Sequence, residues 1–189
     1  MTPPSRTLGI AFSDGDCTSR VAGAVVRDDF ALDGLVYAAC SVGGTDATET
    51  VRSLVADLGR EDVRHVCVAG VAPAWFNLLD LGRLHRAIDR PVYAVSYEAS
   101  PGLEPALREA FDGDALDKRL ATYRALPPRR RVSGIAAEAD PLFVRAAGID
   151  TGDAADAVSA LVREGFRHPE PVRVASLAAS AHRAALTDE

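Results

Sequence analysis

Apolar residues in the first part of the chain form short runs that are separated only by turn residues. Runs of this length, bounded by Asp and Gly, are typical of β-strands, and gaps too short to hold a helix favour antiparallel hairpins. The pattern predicts three such strands, over residues 8–12, 20–27 and 32–42. The chain should therefore open with an antiparallel meander.

Beyond residue 42 the apolar positions alternate between helical and strand spacing. Asp46 and Glu49 fit a capping box in front of a helical run of apolar residues, and Gly59 marks the end of that helix. The elements predicted next are a strand over 65–69, a helix over 81–88 and a strand over 91–96. Right-handed crossovers through the two helices would place the later strands parallel to the first strand, on its free side.

These elements predict an α/β domain with a three-layer, ribonuclease H-like fold. Its mixed sheet would have five strands, with the first strand central and helices on both faces. Two short strands are a further possibility over 132–136 and 142–146, and the length of 189 residues suits one domain spanning 1–189. C-terminal helical additions are expected over 101–111, 116–123, 151–162 and 169–186.

Composition narrows the class of protein. Hydrophobic residues make up 48% and charged residues 25%, as in an average globular protein. The formal net charge of −6 excludes a strongly basic nucleic-acid footprint for the whole chain, but it allows a local basic patch such as the run of arginines at 129–131. Three cysteines without metal-ligand spacing and an N-terminus without a secretory signal predict reduced thiols and a cytoplasmic location.

Four segments match the motifs of one known family, in the same order along the chain. They are Leu8-Gly9-Ile10 leading to Ser13-Asp14-Gly15, then Thr45-Asp46-Ala47-Thr48-Glu49, the stretch 70–81 with Phe76-Asn77 and Asp80, and the stretch 168–180, which opens His168-Pro169-Glu170-Pro171 before Arg173. On these motifs the chain resembles the mostly archaeal domain of unknown function 99 family, which is similar to endonuclease V. The resemblance implies the ribonuclease H-like fold that the order of the elements also predicts.

The resemblance further implies a metal-dependent nucleic-acid hydrolase with DNA or RNA as its partner. Such enzymes cut phosphodiester bonds with bound Mg²⁺ or Mn²⁺, and converging carboxylates hold the metal. One acid is expected on the central first strand and another at the end of the fourth strand, but this chain has Ala11 and Ala69 there. We therefore expect a degenerate carboxylate site with weak or no cleavage and at most one loosely bound metal.

Three acids remain as candidate catalytic and metal-binding residues. Asp14, Asp46 and Asp80 are expected to share one cleft, with carboxylates within roughly 10 Å of one another. Each has a local alternative, because Asp14 suits a turn, Asp80 suits a helix N-cap, and Asp46 suits an N-cap with Glu49 as its capping-box partner. The substrate-binding residues that the resemblance suggests are Asn77, Phe76, Glu170 and Arg173.

Several of these residues have a structural alternative as well. Trp75 and Phe76 could stack on a base or pack in the core, and Glu170 could join a metal or stabilise a helix N-terminus through its charge. His168 could orient a water molecule. Three functions thus stay open: a metal-dependent hydrolase, a non-catalytic protein that binds nucleic acid or a nucleotide, and a small-molecule enzyme on a reused fold.

Overall fold

A computed structural model of the chain describes residues 5–97, 99–133 and 141–187. The strands are β1 (Arg6–Asp14), β2 (Thr18–Arg27), β3 (Leu32–Ser41), β4 (Val63–Ala69), β5 (Val92–Ser96), β6 (Arg130–Arg131) and β7 (Phe143–Ala147). The helices are α1 (Ala47–Leu58), α2 (Pro73–Phe76), α3 (Leu81–Ile88), α4 (Glu104–Ala110), α5 (Gly113–Arg124), α6 (Thr151–Ala160) and α7 (Glu170–Thr187).

All seven strands belong to one sheet, in the order β3-β2-β1-β4-β5-β7-β6. The strands β1, β2 and β3 pair antiparallel, whereas β4 is parallel to β1 and β5 is parallel to β4. The predicted meander, the two crossovers and the position of β1 between β2 and β4 are therefore confirmed.

The prediction of five strands is wrong, because β7 and β6 extend the sheet beyond β5. The strand β7 pairs antiparallel with β5, and β6 pairs antiparallel with β7. Without β7 the backbone groups along one side of β5 would be an open edge, which folded proteins cover. The predicted short strand over 142–146 corresponds to β7. Of the other, over 132–136, residues 132 and 133 lie outside the strands and 134–136 lie outside the described residues.

Side chains alternate between the two faces of the sheet, and each face packs on helices. Leu8 and Ile10 of β1 are fully buried in the larger apolar core, together with residues of α1 and α3. Ala11 points to the other face, where it is buried with Ala175 of α7. Helices therefore cover both faces, as the three-layer prediction requires. Within the described part of the chain, no helix is both long enough and apolar enough to cross a membrane.

Gly9 allows α7 to lie directly on β1. A Cβ atom at Gly9 would lie 2.1 Å from the backbone carbonyl carbon and oxygen of Pro171, so no larger residue fits at this contact. Pro171 is in the first turn of α7, whose small side chains continue the close packing along β1. The result is a sheet face on which little space is left around Ala11.

Candidate functional site

Ala11 in β1 and Ala69 at the carboxyl end of β4 lie side by side. The parallel register pairs Ile10 with Val68, so the next residue of each strand is one of these two alanines. Ala11 is 1% exposed and shares a small apolar cluster with Ala175, and Ala69 packs at the margin of that cluster. The two positions at which the resemblance implies metal ligands therefore carry neighbouring methyl groups under α7.

Asn77 and Asp46 form the most connected polar cluster near these strand ends. Asn77 is completely buried; its Oδ1 accepts a hydrogen bond from the Ala47 N–H at 2.9 Å, and its Nδ2 donates to Asp46 Oδ1 at 2.6 Å and to the Ser41 carbonyl at 2.8 Å. Asp46 also accepts from the Ser41 N–H and hydroxyl, at 3.1 and 3.0 Å. One buried amide thus links the end of β3 to the start of α1.

The capping box predicted from Asp46 and Glu49 is wrong. Asp46 makes no side-chain hydrogen bond to the first turn of α1, and Glu49 instead pairs with Arg52 and Arg83. Asn77 caps the helix in place of Asp46. Partial burial acts to raise the pKa of the Asp46 carboxyl, but the hydrogen bonds from Asn77 and Ser41 outweigh it, and the pKa is lowered.

Asp14 is the exposed last residue of β1. Like Asp46, it lies near the thiol of Cys40. Its Oδ1 accepts a hydrogen bond from the Ser19 hydroxyl at 2.6 Å, across the β1–β2 hairpin. Burial raises the pKa of the Cys40 thiol to about 12, and the charges of Asp46 and then Asp14 add to this effect. Both carboxylates are therefore within electrostatic range of Cys40.

Asp80 serves α3 rather than this cluster. Its side chain accepts a hydrogen bond from the Arg83 N–H at 2.8 Å, which confirms the N-cap alternative. In the described ranges, no three His, Cys, Asp or Glu side chains are grouped so that they could hold a metal ion. The geometry gives no support to a site shared by Asp14, Asp46 and Asp80, and that assignment stays a prediction.

Glu170 and Arg173, at the start of α7, bind each other. The buried Glu170 carboxylate accepts two hydrogen bonds from the Arg173 guanidinium, both at 2.7 Å, and lies 3.4 Å from Arg163. The hydrogen bond from Arg173 is the main reason that the pKa of Glu170 is lowered. Because the Glu170 carboxylate and the Arg173 guanidinium bind each other, neither is open to a substrate. The pairing therefore supports a structural role for Glu170 at the start of α7.

Residues 74–76 form a left-handed turn in α2 that the sequence does not predict. Ala74, Trp75 and Phe76 have φ values of 49°, 50° and 61°, a conformation that costs non-glycine residues roughly 1–3 kcal/mol each. Arg119, which is 6% exposed, secures this turn. It donates hydrogen bonds to the carbonyls of Phe76 at 3.1 Å, Gly43 at 2.6 Å and Gly44 at 3.1 Å.

The two aromatic residues of this turn have different environments. Phe76 is half-buried and packs with Leu78, Leu107 and Leu120, which supports core packing over the predicted contact with substrate. Trp75 is 53% exposed. Only one of the two rings is therefore available at the surface.

A cavity of about 500 Å³ lies at the carboxyl ends of β4 and β5. Open α/β sheets bind their ligands at this edge. Ala69 lies on its wall, so the cavity occupies the place where the fourth-strand acid is expected, and its described lining residues include two arginines but neither Asp nor Glu. The polar residues that line it are Ser96, Tyr97, Ser100, Tyr123, Arg129 and Arg145.

Arg145 is a cavity residue whose charged group is partly buried. It is half-buried on β7 and donates a hydrogen bond to the Pro127 carbonyl. Burial lowers the pKa of its guanidinium, because the charged form has lost part of its hydration. In the sequence, the signal for this residue is an arginine inside the otherwise apolar run Phe143–Ala147.

Tyr97 and His168 contact each other at the cavity wall. Their rings meet edge to face with centroids 4.4 Å apart, and neither the buried Tyr97 hydroxyl nor the buried His168 Nδ1 has a hydrogen-bond partner among the described residues. Burial lowers the pKa of His168, and the charges of Arg167 and Arg173 lower it further.

The order of the strands and the helices on both faces of the sheet give the chain the ribonuclease H-like fold of endonuclease V. Endonuclease V of Ciona intestinalis, solved with DNA containing an inosine followed by a ribo-adenosine, aligns with a TM-score of 0.65 over 97% of this chain and 88% of that one, at 12% identity. A protein of unknown function from Archaeoglobus fulgidus aligns with a TM-score of 0.82 over 94% of this chain and 98% of that one, at 27% identity.

The chain belongs to the endonuclease dU family, whose model matches residues 4–183. A UPF0215 protein of Thermococcus kodakarensis is 32% identical to it over 95% of this chain and 92% of that protein. The endonuclease V-like part of the predicted resemblance is therefore confirmed.

Proposed function

We propose that this protein binds DNA or RNA at the carboxyl-end cavity and cleaves phosphodiester bonds weakly or not at all. One observation carries the proposal: the cavity beside Ala69 is lined by the two arginines Arg129 and Arg145. Arginine side chains bind phosphate, whereas a divalent metal requires oxygen ligands. The chemistry of the site thus favours an anion over a cation.

The dimensions and charge of the cavity suit one nucleotide. Ligand pockets usually enclose about 300–1,000 Å³ and combine apolar walls with a few polar groups. This cavity has a volume of about 500 Å³, and its wall contains both apolar and polar residues. Arg145 has lost hydration by burial, so a bound phosphate would replace the lost interaction. A local site of this kind is compatible with a net charge of −6 for the chain.

Mg²⁺ or Mn²⁺, which the resemblance implies, does not fit the residues at the expected ligand positions. Ala11 and Ala69 offer methyl groups, and Ala175 closes the space in front of Ala11. Two-metal hydrolysis needs ligands on both sides of the reacting phosphate. The absence of both side-chain oxygens is the reason for the expected loss of cleavage.

Binding is tested with fluorescein-labelled single strands and duplexes that carry deoxyuridine, inosine or no modified base. We expect the wild-type protein to bind in the presence of EDTA, with an affinity that falls as salt rises. Arg145→Gln should weaken binding and reduce the slope of log K against log salt by about 0.7–0.9, the value for one phosphate contact. Arg52→Gln, on the exposed face of α1, is the matched control and should leave the slope unchanged. An Arg145→Gln protein that binds like the wild type would refute this site.

Cleavage is tested by restoring the missing acid. Ala69→Asp should allow or increase Mn²⁺-dependent cleavage, and Ala69→Asn, which has the same shape without the charge, should not. Ala11→Asp combined with Ala69→Asp should be the more active variant if α7 accommodates the added group. Robust cleavage by the wild-type protein would contradict the proposal.

A hydrolase with a relocated acid is the second candidate. It is favoured by the position of Asp14 and Asp46, whose charges both act on the Cys40 thiol. In that case the wild-type protein would cleave with Mn²⁺, and Asp14→Ala would abolish the cleavage. The same assay therefore separates the two candidates.

A further inference from the structure

Trp75 is the only tryptophan of the chain, and it lies at the middle of the strained turn described above. More than half of its surface is exposed, although tryptophan usually buries most of its area. A glycine would adopt the left-handed conformation at this position without strain. The chain thus keeps a large ring at the surface in a conformation that disfavours it.

The surrounding residues hold the indole ring in place. Gly43 lies against it so closely that a Cβ atom there would be 2.8 Å from Cε3 of the ring. The ring of Phe111 is 5.1 Å away on another side, and Arg119 stacks on Phe111 at 3.9 Å. Arg119 also fixes the backbone on both sides of the contact through Gly43 and Phe76. One side of the indole is therefore backed by protein while the rest faces solvent.

In the chain, the turn lies between residues of the cavity wall and the polar cluster of Asn77 and Asp46. Val71 and Ala72, immediately before it, line the cavity, and Asn77, immediately after it, binds Asp46. Along the chain, the first residue of the turn, Ala74, is thus two residues from the cavity wall. Lys118, beside Arg119 on α5, is exposed and could contact the backbone of a bound nucleic acid strand.

We propose that the exposed face of Trp75 stacks on an unpaired base of the bound nucleic acid, next to the nucleotide in the cavity. This inference rests on the proposed function. Stacking on an aromatic ring tolerates every base and adds to phosphate contacts made elsewhere. Of the two aromatic residues in the turn, Trp75 is the one with a free face, so it takes the role that the sequence left open for both.

The single tryptophan allows a direct test with unlabelled oligonucleotides. Titration of the wild-type protein with single-stranded oligodeoxyuridine or oligothymidine should quench the tryptophan emission to saturation. The midpoint should match the affinity from anisotropy, and bound oligonucleotide should shield the ring from acrylamide. A duplex of the same length, whose bases are already stacked, should quench less.

Variants separate stacking from folding. Trp75→Gly removes the ring and relieves the left-handed strain, so the protein should stay folded while its affinity falls by about 5- to 150-fold, the value for one stacked base. Trp75→Phe should retain most of the affinity. Leu177→Ala, at another exposed apolar residue, on α7, is the control and should bind like the wild type.

The outcomes distinguish this inference from the proposed function. If oligonucleotides bind by anisotropy but leave the tryptophan emission unchanged, and Trp75→Gly binds normally, the stacking role is wrong and the proposed function stands. If no oligonucleotide binds the wild-type protein, both are wrong. A partner protein that shields Trp75 while oligonucleotides do not would also overturn the stacking role.

Discussion

At the residue scale, the buried side chain of Asn77 holds three parts of the candidate site together. Its amide joins the end of β3, the carboxylate of Asp46 and the first turn of α1 through hydrogen bonds of 2.6–2.9 Å. A buried amide with satisfied groups stabilises the fold, and the same amide leaves a costly unpaired group when it is removed. Asn77 therefore positions Asp46 whether or not Asp46 contacts a ligand.

Asn77→Ala should destabilise the protein and raise the pKa of Asp46. The buried Ala47 N–H would lose its acceptor, which costs about 1–3 kcal/mol in the free energy of unfolding, measured by urea titration. Asp46 would lose a donor to its charged form, so its pKa should rise, as measured by NMR titration of the carboxyl carbon. Asp80→Ala is the control: it should cost about 0.5–2 kcal/mol through the lost cap of α3 and leave the pKa of Asp46 unchanged. An unchanged pKa of Asp46 in Asn77→Ala would contradict this role.

At the scale of elements, the contact between α7 and β1 determines what the candidate site can hold. Gly9 meets the backbone of Pro171 at a contact that leaves no space for a side chain, and Ala11 is buried with Ala175 in one apolar cluster. Small residues on both elements allow the helix to lie close to the sheet. A carboxylate at position 11 would therefore be placed in a buried apolar cluster.

Gly9→Ala should therefore destabilise the protein by at least about 1–3 kcal/mol, the usual cost of overpacking, because the added Cβ meets backbone atoms of Pro171 that cannot rotate away. Gly82→Ala provides the matched control. Its Cβ would approach only the flexible end of Arg86 and the Asp80 carboxylate, and alanine favours the helix α3 by about 0.5–1 kcal/mol over glycine. Thermal unfolding of both variants should move the midpoints in opposite directions. A Gly9→Ala protein as stable as the wild type would show that α7 is free to move away from β1.

At the scale of the whole molecule, carboxylates paired with arginine are distributed over the fold. Hydrogen bonds from Arg60 lower the pKa of Asp62 to about 2, and those from Arg124 lower the pKa of Glu104 to about 2. Glu170 is the buried member of this set, since it is 3% exposed. Exposed pairs contribute little to stability, so Glu170 should dominate the response to acid.

Stability should therefore fall in acid. A carboxyl whose pKa is lower in the folded state stabilises the protein above its unfolded pKa, which is 3.8 for Asp and 4.5 for Glu, and that contribution is lost as the pH falls toward about 2. The urea midpoint should be nearly constant from pH 7 to 5 and should decrease between pH 5 and 2. Glu170→Gln should be less stable at pH 7 and should show a smaller decrease. An equal decrease in both proteins would show that the exposed pairs, rather than Glu170, cause the effect.

The sequence by itself determined the central part of the fold. Apolar runs with short turns require hairpins, and strands separated by helices require crossovers, so the neighbours of β1 follow from local pattern. The sequence also showed that acids are missing at Ala11 and Ala69. No tertiary structure is needed for that conclusion, because a methyl group cannot bind a metal in any fold. The sequence offered β7 only as a possible short strand over 142–146. Its pairing with β5, and that of β6 with β7, were not predicted, since these pairings depend on contacts between distant segments.

The tertiary structure alone decided the local contacts of Asp46 and Trp75. Local pattern makes Asp46 a helix cap, but Asn77, 31 residues further on, takes that role and turns the carboxylate toward Ser41. Local pattern gives no sign of a left-handed turn at Trp75, because Arg119 holds it from 43 residues beyond Phe76. Side chains far apart in the chain compete for the same backbone groups, and only the folded protein brings the competitors together.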